Sequence, residues 1–213
     1  MGMRRDTTGP STYWLEDVDL PKQRVLALAD AVIAIAMTLL VLDIELEGGL
    51  SGRALSDALD DVWRQMGTFL LSAVVIASFW RVHHASLKGV ERIGSPLFWL
   101  NVLFLVLISL VPFPTRVLQD YGDQFLGPAL YGAVIGAASM LLYLMELLST
   151  PRRERGSWRT VPLPTVAVVF LVSVGIAALS PVAAMYSWIA AVPLSALGQW
   201  YAVRSRRAAS PPA

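Results

Sequence analysis

Apolar residues along this chain come in long runs, and none of the runs alternates. Val25–Leu42 is the first, broken only by Asp30, and Gln65–Trp80 is the second, extending a turn past Arg81. Ile93–Thr115 is the third and Gln124–Met145 the fourth. No charged residue occurs from Thr160 to Val203, twice the length of one run, and Ser180-Pro181 near its middle is the natural place for a tight hairpin. A helix needs about 20 residues to cross roughly 30 Å of hydrocarbon, so the pattern predicts six transmembrane helices. A transmembrane β-barrel would show period-two alternation, which is missing. The expected fold is an all-α integral membrane protein with one six-span unit, residues 23–204, and no internal repeat. Residues 1–22 are expected to form a polar arm and residues 205–213 a disordered tail.

Composition agrees with that picture. The chain is 55% hydrophobic and 15% charged, against roughly a quarter charged in a soluble domain, and its mean hydropathy is +0.58. The first twenty residues lack the apolar core and small-residue cleavage site of a signal peptide. The net charge of +1 conceals an uneven distribution. Fourteen Lys and Arg residues fall in the N-terminal arm, the second-to-third loop, the fourth-to-fifth loop and the tail; Arg53, Arg64 and Arg116 fall in the other loops. The positive-inside rule then puts both termini in the cytoplasm. The first-to-second loop on the outer side is acidic, with Asp43, Glu45, Glu47, Asp57, Asp60 and Asp61. Such a loop either raises the local cation concentration at an outer mouth or is a solvated stretch that keeps the first span from sliding inward.

Several chemistries are excluded. There is no cysteine, hence no disulfide framework and no thiolate metal site. Phosphate loops, HExxH and nucleophile elbows are missing, so no catalytic residue, metal site or cofactor is expected. His83 and His84 are adjacent and point about 100° apart on a helix, which is poor geometry for one metal. The paired arginines Arg152-Arg153 and Arg206-Arg207 lack interleaved aromatics, so nucleic acid is not an expected partner.

Asp30 is the only carboxylate well inside the runs. It lies six residues past Arg24, about 9 Å deep at 1.5 Å per residue. The second run returns to the same edge near Lys88, placing Trp80 and His83 at similar depth, and Asn101 is about six residues into the third. Arg24, Asp30, Trp80, His83 and Asn101 are therefore candidates for one interhelical polar layer. A buried carboxylate also often marks an ion or proton pathway, and the residues alone leave both readings open.

These residues resemble a known family. Arg24, then Leu28-Ala29-Asp30 and on through Thr38 to Leu42, is similar to the first-span signature of the lysosomal potassium channel family named for transmembrane protein 175: Arg, three residues, then Phe-Ser-Asp. Phe79-Trp80-Arg-Val-His83-His84, Leu100-Asn101-Val-Leu-Phe-Leu and Leu110-Val-Pro112-Phe113-Pro114 follow in the family's order. The resemblance covers most of residues 24–116, while the last three runs match in hydropathy only. Leu28-Ala29 replaces the usual Phe-Ser, so the serine hydroxyl of the layer is lost.

The resemblance implies a homotetramer of the prokaryotic single-repeat form, in a prokaryotic plasma membrane, with a potassium-conducting pore lined by the first span of each subunit. The filter sequence TVGYG is missing. Ile35, Leu39 and Leu42 recur at i, i+4 and i+7. An aliphatic stripe of this kind usually faces lipid or a neighbouring helix; the family pattern makes it a set of apolar gate rings. Thr38, at the stripe's edge, is the candidate selectivity hydroxyl, or else bonds back to the carbonyl of Ala34. Ala27, Ala31 and Ala34 form a small-residue face expected to pack against helices within or between subunits. The leading expectation is a potassium-preferring cation channel. The alternatives are a proton-coupled carrier using Asp30 and a non-conducting structural membrane protein.

Overall fold

The computed structural model describes residues 18–150 and 165–189. In chain order the elements are β1 (Asp19–Pro21), α1 (Lys22–Leu39, continued by a 3₁₀ turn Leu40–Asp43), α2 (Arg53–Ser86), β2 (Arg92–Gly94), α3 (Ser95–Leu110), α4 (Pro112–Asp120), α5 (Leu126–Ser149) and α6 (Thr165–Ala177). A last helical stretch, α7, covers 181–189. Among the described residues four helical stretches are long and apolar enough to cross a membrane: Lys22–Asp43, Arg53–Ser86, Ser95–Asp120 and Leu126–Ser149. They follow the first four apolar runs in order. The shorter α6 leads into a turn at 178–180, so the chain reverses at Ser180 as the Ser-Pro pair suggests. The remainder of the fifth and sixth expected spans, and the tail, lie outside the described residues.

Four boundaries depart from the sequence reading, each for a local reason. α2 is 34 residues long and begins at Arg53, so Asp57, Asp60 and Asp61 sit on a helix instead of in a loop. Gly49 and Gly52, with φ of 80° and 60°, make the turn that precedes it; positive φ is a conformation that glycine adopts without steric cost. The third span breaks between Leu110 and Pro112, because Pro112 and Pro114 lack the N–H groups that would continue the ladder. α5 continues a turn beyond the expected end and takes in Glu146. The polar arm is ordered at its end: Asp19–Pro21 pairs antiparallel with Arg92–Gly94, Leu20 opposite Ile93. The Arg92 guanidinium donates to Asp19 Oδ1 at 2.6 Å and to its backbone carbonyl at 2.9 Å. That contact holds the Asp19 carboxyl below the usual carboxylate range. The pair therefore contributes above the ordinary carboxylate pKa and fades as pH falls through the lowered one.

α5 is the central helix, packed on α3, α4 and α6. Tyr131, Ile135, Phe104, Ile108, Ile76 and Met145 are fully buried between these elements. At the α3–α4 break a chain of buried hydroxyls links three elements. Thr115 Oγ1 donates to the Val111 carbonyl at 2.8 Å, and the Ser72 hydroxyl lies 2.8 Å from Thr115 and 3.2 Å from the Tyr131 hydroxyl. Each hydroxyl can donate once, in the order Tyr131 to Ser72 to Thr115 to Val111, so none is left unpaired.

α5 and α6 approach closely because α5 presents Gly132 and Gly136. A Cβ at Gly132 would lie 2.7 Å from Ser173 Oγ and 3.0 Å from the Phe170 carbonyl oxygen. Ser173 cannot swing away without losing its bonds to the Phe170 carbonyl (2.6 Å) and the Trp188 indole (2.8 Å). Gly132→Ala should therefore lower the stability of the detergent-solubilised protein by about 1–3 kcal/mol, the usual cost of overpacking. A Cβ at Gly175 meets nothing within 4 Å, so Gly175→Ala should be neutral or stabilising by up to ~1 kcal/mol through helix propensity. Thermal unfolding of the two variants, side by side, checks the pair.

A polar layer beside an uncovered helix face

α1 has one packed face. Val25, Ala29, Ile33, Ala36 and Leu40 follow helical spacing and are buried against the rest of the chain. The opposite face, which carries Arg24, Ala27, Leu28, Ala31, Ala34, Ile35, Thr38, Leu39 and Leu42, is exposed along its length. Ile35 is 59% exposed and Leu42 67%. The small-residue face of Ala27, Ala31 and Ala34 thus meets no helix among the described residues. Thr38 donates its hydroxyl proton to the Ile35 carbonyl at 2.8 Å, one residue further along than the expected Ala34, and its oxygen lone pairs stay free.

The five candidates for the polar layer fall into two pairs and one separate residue. The Trp80 indole N–H donates to Asp30 Oδ1 at 2.8 Å, tying α1 to α2. His83, three residues on, faces the interior instead: its Nε2 lies 2.7 Å from Asn101 Oδ1 on α3, and its ring stacks on Phe104 at 5.4 Å between centroids. An amide oxygen only accepts, so His83 carries its proton on Nε2. Both partners are fully buried, and His83 Nδ1 and Asn101 Nδ2 have no hydrogen-bond partner among the described residues. Arg24 is exposed on the open face, away from both pairs, with no partner among the described residues.

Two particulars go beyond the sequence reading. Among the described residues Asp30 is half-exposed, its side chain at 50%, because it stands next to Ala29 at the edge of the covered face of α1. His84, set aside as a poor co-ligand for His83, belongs to the Asp30 group. Its Nε2 is 3.4 Å from Asp30 Oδ1 and its Nδ1 is 3.1 Å from the Trp80 carbonyl. A carbonyl cannot donate, so Nδ1 carries the proton in the neutral ring. Nε2 then turns a lone pair toward the carboxylate, and the contact becomes an ion pair when the ring is protonated. The i+4 spacing from Trp80 to His84 was the sequence signal for this grouping. The Ser72–Thr115–Tyr131 hydroxyl chain was also missed, since three hydroxyls in three separate runs leave no shared motif.

At the other end of α1, Arg116 lies 3.1 Å from Glu45 and 3.8 Å from Asp43. Gln65 Oε1 accepts from the Glu45 backbone N–H at 2.8 Å. Among the described residues no three His, Asp or Glu side chains gather as metal ligands.

Residues 24–112 match the family model described as endosomal/lysosomal potassium channel TMEM175. A potassium channel of Streptomyces collinus is 38% identical over 98 residues, which is 46% of this chain and 48% of that protein. A potassium channel of Chamaesiphon minutus is 36% identical over 110 residues, 49% of this chain and 54% of that one. The matches span about half the length of these curated relatives. Among solved structures, the crystal structure of a lysosomal potassium-selective channel TMEM175 homologue from Chamaesiphon minutus is similar with a TM-score of 0.73 and 25% identity, covering 83% of this chain and 97% of that chain.

Asn101→Ala leaves the His83 N–H without an acceptor in a closed core, and should cost about 1–3 kcal/mol. Asp30→Asn keeps an acceptor for the Trp80 indole at a half-exposed site and should change protomer stability by less than ~1 kcal/mol. Thermal melts of the two detergent-solubilised variants should rank them in that order.

Proposed function

With residues 24–112 of TMEM175-family sequence and a fold shared with a solved TMEM175 homologue as the premise, we propose that this chain is a potassium-preferring cation channel. Four copies each contribute α1 to a central pore, and both termini lie in the cytoplasm of a prokaryotic cell. The observation that carries this reading is the uncovered face of α1. A helix that packs Val25, Ala29, Ile33, Ala36 and Leu40 inward leaves Ile35, Leu39 and Leu42 open on the opposite side. Around a fourfold axis these three become stacked aliphatic rings, which exclude water when narrow and conduct when widened.

Thr38 supports the selectivity part of the proposal. Its proton is committed to the Ile35 carbonyl, so its oxygen presents lone pairs outward, the arrangement a partly dehydrated cation requires. Asp43, Glu45 and Asp120 around Arg116 give the outer end of α1 an acidic surplus, which favours cation entry. Asp30 acts as an anchor: its bond to Trp80 fixes α1 on α2. No resident cofactor is needed; the permeant ion is the cargo.

Purified protein in liposomes under a potassium gradient, with sodium as control, tests the channel. Saturable flux driven by a pH gradient and abolished by Asp30→Asn would instead favour a proton-coupled carrier, and no flux at all would leave a structural protein. For the gate, Ile35→Asn and Leu39→Asn should raise flux several-fold and narrow the potassium-over-sodium preference, because water persists in a polar neck. Ile33→Asn and Leu40→Asn place an amide on the packed face and should lower the yield of assembled protein without raising flux. Equal flux per assembled protein from Ile35→Asn and Leu40→Asn would remove the stripe from the pore.

A further inference from the structure

The length of α2 is unexplained by a membrane span. Two contacts fix its register against α1: Trp80 to Asp30 near one end and Gln65 to Glu45 near the other. Asp30 lies on α1 and Glu45 two residues past its 3₁₀ turn, so α1 and α2 run antiparallel and α1 is finished at about the level of Gln65. Among the described residues the twelve from Arg53 to Arg64 continue beyond that level, about 18 Å further at 1.5 Å per residue, and only at the base do Asp61 and Arg64 share a cleft with Gln119, Asp120 and Asp123. All but Ala58 and Val62 of them are exposed.

This extension is sharply two-faced. At 100° per residue, Leu55, Leu59, Val62, Trp63, Met66 and Leu70 fall within an arc of about 100°. Arg53, Asp57, Asp60, Asp61 and Arg64 fall on the opposite arc, and Arg64 is paired with Asp61. Leu55, Leu59 and Trp63 are exposed large apolar residues, Trp63 at 73%. An isolated helix of ~12 residues is marginal in water, so the stripe needs cover. Lipid is a poor candidate. α2 runs as one unbroken helix through Gly67, so the extension is continuous with the upright span and does not fold down onto the bilayer surface.

The stripe continues down the same side of α2 through Ala73 and Ala77 to Trp80 and His84, the side chains that meet Asp30 at the edge of the open face of α1. We propose that residues 53–64 are a second self-association surface, outside the membrane, at which the Leu55–Leu59–Trp63 stripe packs on further copies of this chain. The inference rests on the assembled-channel reading, in which copies related by the pore axis present the same extension at the same height. It makes the outer mouth a helical collar with apolar contacts between copies and the charged arc turned to solvent.

The chain has no cysteine, so one introduced thiol is unique. Full-length Leu59→Cys, Asp57→Cys and Ile35→Cys, each in phosphatidylcholine–phosphatidylglycerol vesicles, would be treated with a short bismaleimide and run on denaturing gels. Leu59→Cys should give dimer and higher bands several-fold above Asp57→Cys, and should react several-fold more slowly with a water-soluble maleimide. Crosslinking of Ile35→Cys without Leu59→Cys would overturn the collar while keeping the pore. Quenching of a fluorophore on Leu59→Cys by a lipid-borne quencher would overturn it in favour of lipid. Crosslinking of neither would overturn both readings.

Discussion

The bond from the Trp80 indole to the Asp30 carboxylate fixes the height of α1 on α2, and much else depends on that height. It lets Ile33 and Leu40 enter the core while Ile35, Leu39 and Leu42 stay outside. It also brings the end of α1 level with Gln65 and Arg116, where backbone and carboxylates find partners. A slip of one residue would rotate the face by about 100° and bury part of the open stripe in place of Ala29 and Ala36. Polar contacts at the two ends of an apolar helix pair thus bear on which side chains remain available for anything beyond the fold.

Polar groups elsewhere follow the same logic of local satisfaction. The hydroxyls of Ser72, Thr115 and Tyr131 gather where α3 gives way to α4, just past Pro112 and Pro114. α5 and α6 need no such device: glycines let them approach until Ser173, Phe170 and Trp188 close the contact. Among the described residues His83, Asn101 and Asp43 depart from that logic, since His83 Nδ1, Asn101 Nδ2 and Asp43 Oδ2 are buried without a hydrogen-bond partner.

How much of this was legible in the sequence depended on what kind of information each feature leaves there. Charge-free runs mark hydrocarbon, so the cores of α1, α3 and α5 could be read directly. The same criterion was blind to Arg53–Arg64, where a charge on every turn hides a helix whose apolar side is continuous. The ribbon of β1 and β2 was invisible because three residues cannot establish a period. Counting depth from the membrane edge put Arg24, Asp30, Trp80, His83 and Asn101 at one height, and in the structure Asp30 meets Trp80 while His83 meets Asn101. It could not separate the two pairs, because residue count gives height along a helix and says nothing of the azimuth around a bundle. Azimuth comes from packing, and it put Asp30 at the rim and His83 in the centre.

An unbroken α2 also has a mechanical meaning. From Trp80 to Arg53 the helix is a rigid arm of roughly 40 Å, held near one end by Asp30 and passing the end of α1 at Gln65. A tilt of about 5° about the Trp80 contact displaces the free tip by roughly 3–4 Å over that length, while side chains beside the pivot move by a fraction of an ångström. Any tilt at the Asp30 layer would be magnified by that leverage at the Arg53 end of the helix.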